Sequence, residues 1–317
     1  MARRVSGGFR PTPGDPCWGG CSAYRTEATR GPSRVMSARL HRPSAPASAW
    51  IYMAIERDTR GLPLADEQRF NFYPATPFPS ISWIFEGELH LAADRPAVAQ
   101  GRLGRPLLRV VFAGPHRRPV ASWSPGAVHA LTVSFYPETL GRVLDIPLER
   151  CLDVILPLEA VMSGAALTCL LNIERGPEPF SRVQSIVSSW PSGRPVEPSG
   201  VDIRAWLSMI CARAASSPDG EGARQVQRRI KGWTGQSRRD LQLYERVEAA
   251  ALHGLAGERE TAPDLAAAAI DAGFSDQSHL GREVRRVTGL SPRRLETSVR
   301  NDEGFWLYRL LKGRPRP

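Results

Sequence analysis

Between residues 45 and 136, short runs of β-branched and aromatic residues recur between Pro/Gly breaks: Trp50 to Glu56, Phe70 to Tyr73, Ile81 to Phe85, Leu107 to Ala113, Val120 to Trp123 and Leu131 to Tyr136. Polar and apolar side chains alternate in Ser82-Trp83-Ile84-Phe85 and in Leu131-Thr132-Val133-Ser134-Phe135, the period of a half-buried strand. Many short strands with turn signals between them predict a β-rich barrel or sandwich with its aromatics inside and room for a pocket. Trp83, Phe85, Phe112, Trp123, Phe135 and Tyr136 are candidate pocket liners, with ordinary core as the preferred role for most of them.

The pattern then changes to a helical one over 137–190. Pro137 suits a first helical turn, and Leu140, Val143, Leu144 and Ile146 follow at near-helical spacing. Further apolar runs cover Val154 to Ile173 and Phe180 to Trp190, a helical segment suited to pairing with a second subunit. PSGRPVEPSG at 191–200 is a linker and the clearest boundary in the chain. The expected class is therefore an α+β multi-domain protein: a β-rich unit over 45–136 with its helical extension, then an all-α domain over 201–297.

Within that last domain, Arg224 to Leu241 and Ser278 to Leu295 align without a gap at a separation of 54 residues. Six positions are identical, among them Arg228/Arg282, Thr234/Thr288 and Gly235/Gly289. Such self-similarity means one structural unit used twice. In each copy an apolar stripe (Val226, Ile230, Trp233; Leu280, Val284, Val287) lies opposite a basic face. Gly235 and Gly289 sit where a helix end needs a left-handed residue. Leu265 to Ser275 reads as a short helix ending at Gly273, with Phe274 as an apolar plug and Ser275 as the next cap. Ser291 and Pro292 open another helix. A short helix, a Gly turn and a basic amphipathic helix make a helix-turn-helix.

LAAAAIDAGFSDQSHLGREVRRVTGLSPRRL resembles the second helix-turn-helix of the AraC/XylS family of bacterial transcription regulators, through Ala269 to Leu280 and Thr288 to Pro292. The resemblance covers roughly residues 200–297. It implies two such units joined by a long helix, which Arg238 to Leu255 fits. Ile203 to Ala215 would lead unit one, although residues 216–222 replace its usual short Gly turn with a longer polar one, and Gln236 and Arg238 stand where Leu and Pro are common. The resemblance further implies base contacts by Arg224, Gln227 and Arg228 in unit one and by Ser278, His279 and Arg282 in unit two. His279 has packing against the turn as an equal alternative. Arg229, Arg285, Arg286 and Arg293 suit phosphates. The partners it implies are double-stranded DNA, a small-molecule effector, RNA polymerase and a second copy of the chain. It implies no cofactor and no catalytic residue.

Charge agrees in its placement more than in its total. The net charge of +10 comes from a chain whose only lysines are Lys231 and Lys312, so arginine-rich codon usage explains much of it. The two repeats, however, hold 11 basic residues against Asp240 and Glu283. Residues 1–44 are Gly/Pro/Ser/Arg-rich and read as a disordered tail, more inert than DNA-contacting, with Met36 or Met53 as alternative starts; 298–317 reads as a C-terminal tail. With no long apolar run and no secretory signal, the expected location is the cytoplasm, at the nucleoid. Five widely spaced cysteines give no disulfide framework, and Cys17 and Cys21 lack a second pair for a metal. His90, His116 and His129 show no metal-ligand spacing. Two rivals remain: a DNA alkyl-repair enzyme, which needs an activated cysteine, and a regulator acting only through protein contact.

Overall fold

Alternating strand patterns settle into two open antiparallel sheets in the computed structural model, which describes residues 37–174, 176, 178–191, 202–216, 222–254 and 265–313. The strands are β1 (Ala38–His41), β2 (Ile51–Asp58), β3 (Phe70–Tyr73), β4 (Ser80–Glu86), β5 (His90–Leu91), β6 (Val110–Ala113), β7 (Val120–Trp123), β8 (His129–Phe135) and β9 (Ile155–Pro157). Six of them pair in the order β1-β2-β8-β4-β6-β9, and three in the order β3-β7-β5. Neither sheet closes on itself, so of the two expected forms the barrel is not the one adopted. A short helix, α1 (Arg95–Ala99), connects β5 to β6, capped by the Asp94 carboxylate on the Ala97 N–H at 2.7 Å.

Register decides what each face of the large sheet does. Trp83 pairs with Leu131 and Ile81 with Val133, and all four are fully buried on one face. Each such aliphatic or aromatic side chain contributes about 1.5–3 kcal/mol by leaving water. The residues 137–190 cover this face, but only partly as helix. They form α2 (Pro137–Leu140), a 3-10 turn at Leu148–Cys151, the edge strand β9, α3 (Gly164–Leu171) and α4 (Pro179–Ser188). β9 extends the sheet because Val111 to Ala113 offers it a free edge. The Trp83 indole donates to the Leu170 carbonyl at 2.8 Å, fixing α3 on the sheet.

The C-terminal half contains α5 (Ile203–Ala215), α6 (Ala223–Thr234), α7 (Arg238–Gly254), α8 (Leu265–Asp271), α9 (Gln277–Thr288), α10 (Pro292–Asn301) and α11 (Trp306–Lys312). Despite the Pro/Gly linker in the sequence, the two halves share one hydrophobic core. Tyr52, Phe72 and Phe78 from the β-rich half pack in the same cluster as Trp206, Tyr244 and Val284. The Trp206 indole also donates to both Glu138 carboxylate oxygens, at 3.2 and 3.3 Å.

Two stretches read as tails behave otherwise. Ala38–His41 is an edge strand on β2. Residues 303–312, expected to trail from the DNA-binding domain, return to the sheets instead. Trp306 donates to Asn71 at 2.8 Å, Phe305 stacks on Phe72 with centroids 4.6 Å apart, and Arg57 pairs with Glu303 at 3.1 Å. Gly304 permits this approach: a Cβ there would lie 2.8 Å from the Phe72 ring. The expectations for residues 1–36, for 192–200 of the linker and for 217–221 of the polar turn fall outside the described residues.

Candidate nucleic-acid interface

The sequence repeat is also a repeat of hydrogen bonds. At the end of α6 the Thr234 hydroxyl donates to the Ile230 carbonyl at 2.7 Å and accepts from the Gln236 N–H at 3.2 Å. At the end of α9 the Thr288 hydroxyl donates to the Val284 carbonyl at 2.8 Å and accepts from the Leu290 N–H at 3.2 Å. Gly235 and Gly289 follow with φ of 75° and 79°, and each N–H returns to the carbonyl four residues back at 2.8 Å. Only glycine adopts that backbone readily, so Thr-Gly closes both helices in one way.

Each helix buries the expected stripe. Ile230 is buried and Val226 and Trp233 half-buried on α6; Leu280, Val284 and Val287 are buried on α9. In front of α9, Gly273 takes φ of 72° and Phe274 fills the space beneath the turn. The cap of α9 is Asp276 and not Ser275: its carboxylate accepts from the His279 N–H at 2.7 Å. That bond, the Ser275 hydroxyl and the Ser278 N–H hold the Asp276 carboxyl below the usual carboxylate range, with Arg282 adding to the effect. A carboxylate outcompetes the serine here because it is charged toward the helix N-terminus. Pro292 does open α10, and Ser291 occupies its cap position without a side-chain bond.

Of the expected base-contacting residues, Arg224, Gln227 and Arg228 are all exposed on α6, and Ser278 and Arg282 on α9. His279 is half-buried, edge-on to Phe274 at 5.3 Å and 3.1 Å from the Ser275 hydroxyl, so packing against the turn engages it. The expected phosphate contacts divide. Arg285 and Arg293 are exposed, and their guanidinium groups have no ion-pair or hydrogen-bond partner among the described residues. Arg229 donates to the Ala214 carbonyl at 2.7 Å, closing α5. Arg286 reaches Asp240 on α7 at 3.3 Å and Glu283 at 3.8 Å. Gln236, in place of the leucine expected there, is buried and accepts from the Tyr244 hydroxyl at 2.9 Å, whose single proton is shared with the His116 carbonyl at 3.2 Å.

Behind α9 lies a cavity of about 680 Å³ between the sheets and the helices. Val284 and Val287, on the side of α9 away from Arg282, form part of its wall. None of the six aromatic candidates lines it. Trp83, Phe112 and Phe135 belong to the core on the other face of the large sheet. The liners are the alternate positions, Ser80, Ser82, Thr132 and Ser134 among them, which the eye for aromatics passes over. Small side chains on one face of paired strands were the available signal.

Among the described residues no cluster of three or more His, Cys, Asp or Glu is placed to hold a metal. His116 bonds the Gly114 carbonyl at 2.6 Å, His90 the Gly104 carbonyl at 2.8 Å, and His129 the Glu56 carboxylate at 2.8 Å. Cys151 is a poor nucleophile, since burial pushes its thiol up to about 11. No helix of the described residues is long and apolar enough to cross a membrane.

Comparison with known proteins places the same residues in a family. Residues 220–298 match the model described as "Helix-turn-helix domain". No curated protein sequence matches the chain. Among solved structures, the chain resembles apo ToxT from Vibrio cholerae at 12% identity, covering 77% of this chain and 96% of that one, with a TM-score of 0.35. A second ToxT structure aligns at 11% identity over 72% and 94% of the two chains, TM-score 0.35. ToxT bound to an unsaturated fatty acid aligns at 13% identity over 72% and 94%, TM-score 0.33. The matched residues are those that carry the repeated helix, Thr-Gly stop and basic outer face, and they form a helix-turn-helix domain.

Proposed function

We propose that the chain is a sequence-specific transcription regulator in which α6 and α9 each enter a major groove and the cavity behind α9 takes a small-molecule effector. The observation that carries this reading is the doubled Thr-Gly geometry, which leaves the outer faces of both helices exposed and basic. Arg224, Gln227 and Arg228 on one helix and Ser278 and Arg282 on the other present donors for base edges. Arg285 and Arg293 are free to meet phosphates. Arg286 and Arg229 act instead as internal fasteners, the first tying unit two to the connecting helix. Two units in one chain suit adjacent groove segments about one turn apart, roughly 34 Å. RNA polymerase and a second copy of the chain are the further partners this reading anticipates.

The effector part rests on the cavity sharing a wall with α9. Its volume falls within the range, about 300–1,000 Å³, of sites for small ligands. The test is selection from random duplex DNA with the full chain at two salt concentrations. The expected result is one enriched motif with two half-sites a turn apart, weakening steeply with salt. Salt-sensitive binding without enrichment, or no binding, overturns the reading.

A further inference from the structure

The walls of the cavity carry a chemical preference. We infer that the cavity accepts an uncharged, mainly apolar small molecule whose oxygens are read by a floor of four hydroxyls. This rests on the effector reading above and adds the class of ligand.

The floor is built by two adjacent cross-strand pairs at the centre of the large sheet. Ser80 lies opposite Ser134 and Ser82 opposite Thr132. All four line the cavity and remain half-buried, while their neighbours Ile81, Leu131 and Val133 are fully buried on the other face. Ser82 and Thr132 bond each other at 2.9 Å, which keeps the pair aligned and leaves one hydroxyl proton free to donate and acceptor capacity at both oxygens. Hydroxyls that both give and take suit carbonyl, ether and alcohol oxygens. Much of the remaining wall is apolar, with Ile55, Ile84, Leu89 and Val111 among its aliphatic side chains and Phe78 among its aromatic ones.

Most charge in the wall is already engaged. Arg57 is paired with Glu303 at 3.1 Å and Arg300 with Glu296 at 2.6 Å. Asp202 accepts from the Ala205 N–H at 2.5 Å and Glu248 from the Ile203 N–H at 3.0 Å. His41 bonds Glu56 at 3.0 Å, and burial lowers the His116 imidazole below its ordinary value, which favours its neutral form. The remaining cations of the lining, Arg42 and Lys312, are exposed at its rim. An ion brought to the hydroxyl floor would lose its hydration among side chains that carry no charge. An uncharged molecule loses far less.

The experiment uses the full chain, Nile red as an uncharged fluorescent probe, and 1-decanol against decanoate as competitors at pH 7. Nile red is expected to bind at about one per chain, and decanol to displace it at a concentration at least tenfold below that of decanoate. Ser82→Ala with Thr132→Val should weaken decanol by about two- to tenfold for each hydrogen bond lost. Ser82→Phe should occlude the cavity and abolish dye binding, with circular dichroism reporting whether each variant folds. Decanoate competing as well as decanol overturns the ligand class while leaving the effector reading standing. Dye binding unchanged in a folded Ser82→Phe variant, or no binding by any probe, overturns both.

Discussion

Removing the Trp306 side chain tests whether residues 303–312 are part of the folded body. The indole is 4% exposed and packs with Ala38, Ile55 and Leu307. The Arg57 guanidinium lies 4.9 Å from its centroid, and its N–H donates to Asn71 at 2.8 Å. Trp306→Ala leaves a cavity of indole size at the junction of strand and helix, and losses of about 3–5 kcal/mol accompany such truncations. Trp306→Phe retains most of the packing but deprives Asn71, itself buried, of the donor to its Oδ1. An orphaned buried acceptor costs about 1–3 kcal/mol. The expected order is therefore Ala well below Phe, and Phe below the parent. Urea unfolding followed by circular dichroism measures both, since loss of a tryptophan compromises fluorescence. Because the sheets and helices share a core that Trp306 does not join, the parent should unfold in one transition, and Trp306→Ala should lower its midpoint while keeping it single. A loss under about 0.5 kcal/mol for Trp306→Ala, the range of surface substitutions, would mean that α11 merely rests on the sheet.

Other consequences are smaller or local. Arg282→Ala should weaken specific DNA binding by about 1–3 kcal/mol and relax preference at one base pair, which selection with the variant reads out; an unchanged motif removes Arg282 from the readers. Gly273→Ala should cost about 1–2 kcal/mol, and Gly273→Val more, in unfolding measurements. The nearest atom to a new Cβ, on Arg246, is 4.0 Å away, so the penalty is backbone conformation rather than collision. Lys231 and Glu149 lie 2.6 Å apart, but both are more than half exposed, so Lys231→Ala should change stability by no more than about 1 kcal/mol. Glu56 is lowered from 4.5 to about 2, chiefly by the hydrogen bond from His41 with His129 assisting and burial opposing. A depressed carboxyl stabilises above its unfolded value, and that stability is lost as pH falls from about 4.5 towards 2. Glu56→Gln should flatten this limb of the acid unfolding curve, and a limb as steep as the parent's would place the acid sensitivity elsewhere.

How much of this was legible in the chain varies with the range of the forces involved. The tandem helices were readable because their determinants are local: an apolar stripe, a threonine and a glycine at the end. Gln227, Arg228 and Arg282 appear on the outer face for the same reason. The choice of Asp276 over Ser275 as cap was harder, because both types cap and adjacent positions offer one of each. Strands were found where bulky residues alternate, and missed at Ala38–His41 and Ile155–Pro157, which owe their state to a neighbour's open edge. Trp83, Phe112 and Phe135 are the ordinary core preferred for most of the aromatics, and the cavity lies one residue out of phase with them. Bulky Trp83 and Phe112 suggest a pocket lining by their size, yet size is what commits them to close packing. The room lies over Ser82 and Thr132, where side chains are too small to fill the space between the layers. The return of α11 to the sheet depends on contacts such as Trp306 with Asn71, 235 residues apart, and no periodicity announces them.

That return bears on how the proposed effector would reach DNA. Helix α9 has two functional sides set by its own period: Arg282 outward, Val284 and Val287 toward the cavity. Its far end is held by the β-rich half directly, through the Ala75 N–H on the Val287 carbonyl at 2.7 Å. Beyond α10 the chain is held again, by Trp306 on Asn71 and by Arg95 on Asp302. A ligand in the cavity therefore needs no distant relay. It changes α9 to the extent that it binds more tightly to one placement of Val284 and Val287 than to another, and that difference in affinity sets the whole size of the response. By the same linkage, operator DNA must alter ligand affinity by the factor that ligand alters DNA affinity. Measuring decanol competition for Nile red with and without the selected duplex closes that thermodynamic cycle. Equal ligand affinity in the two arms, alongside ligand-dependent DNA binding, would violate the cycle and show that the ligand acts from another site.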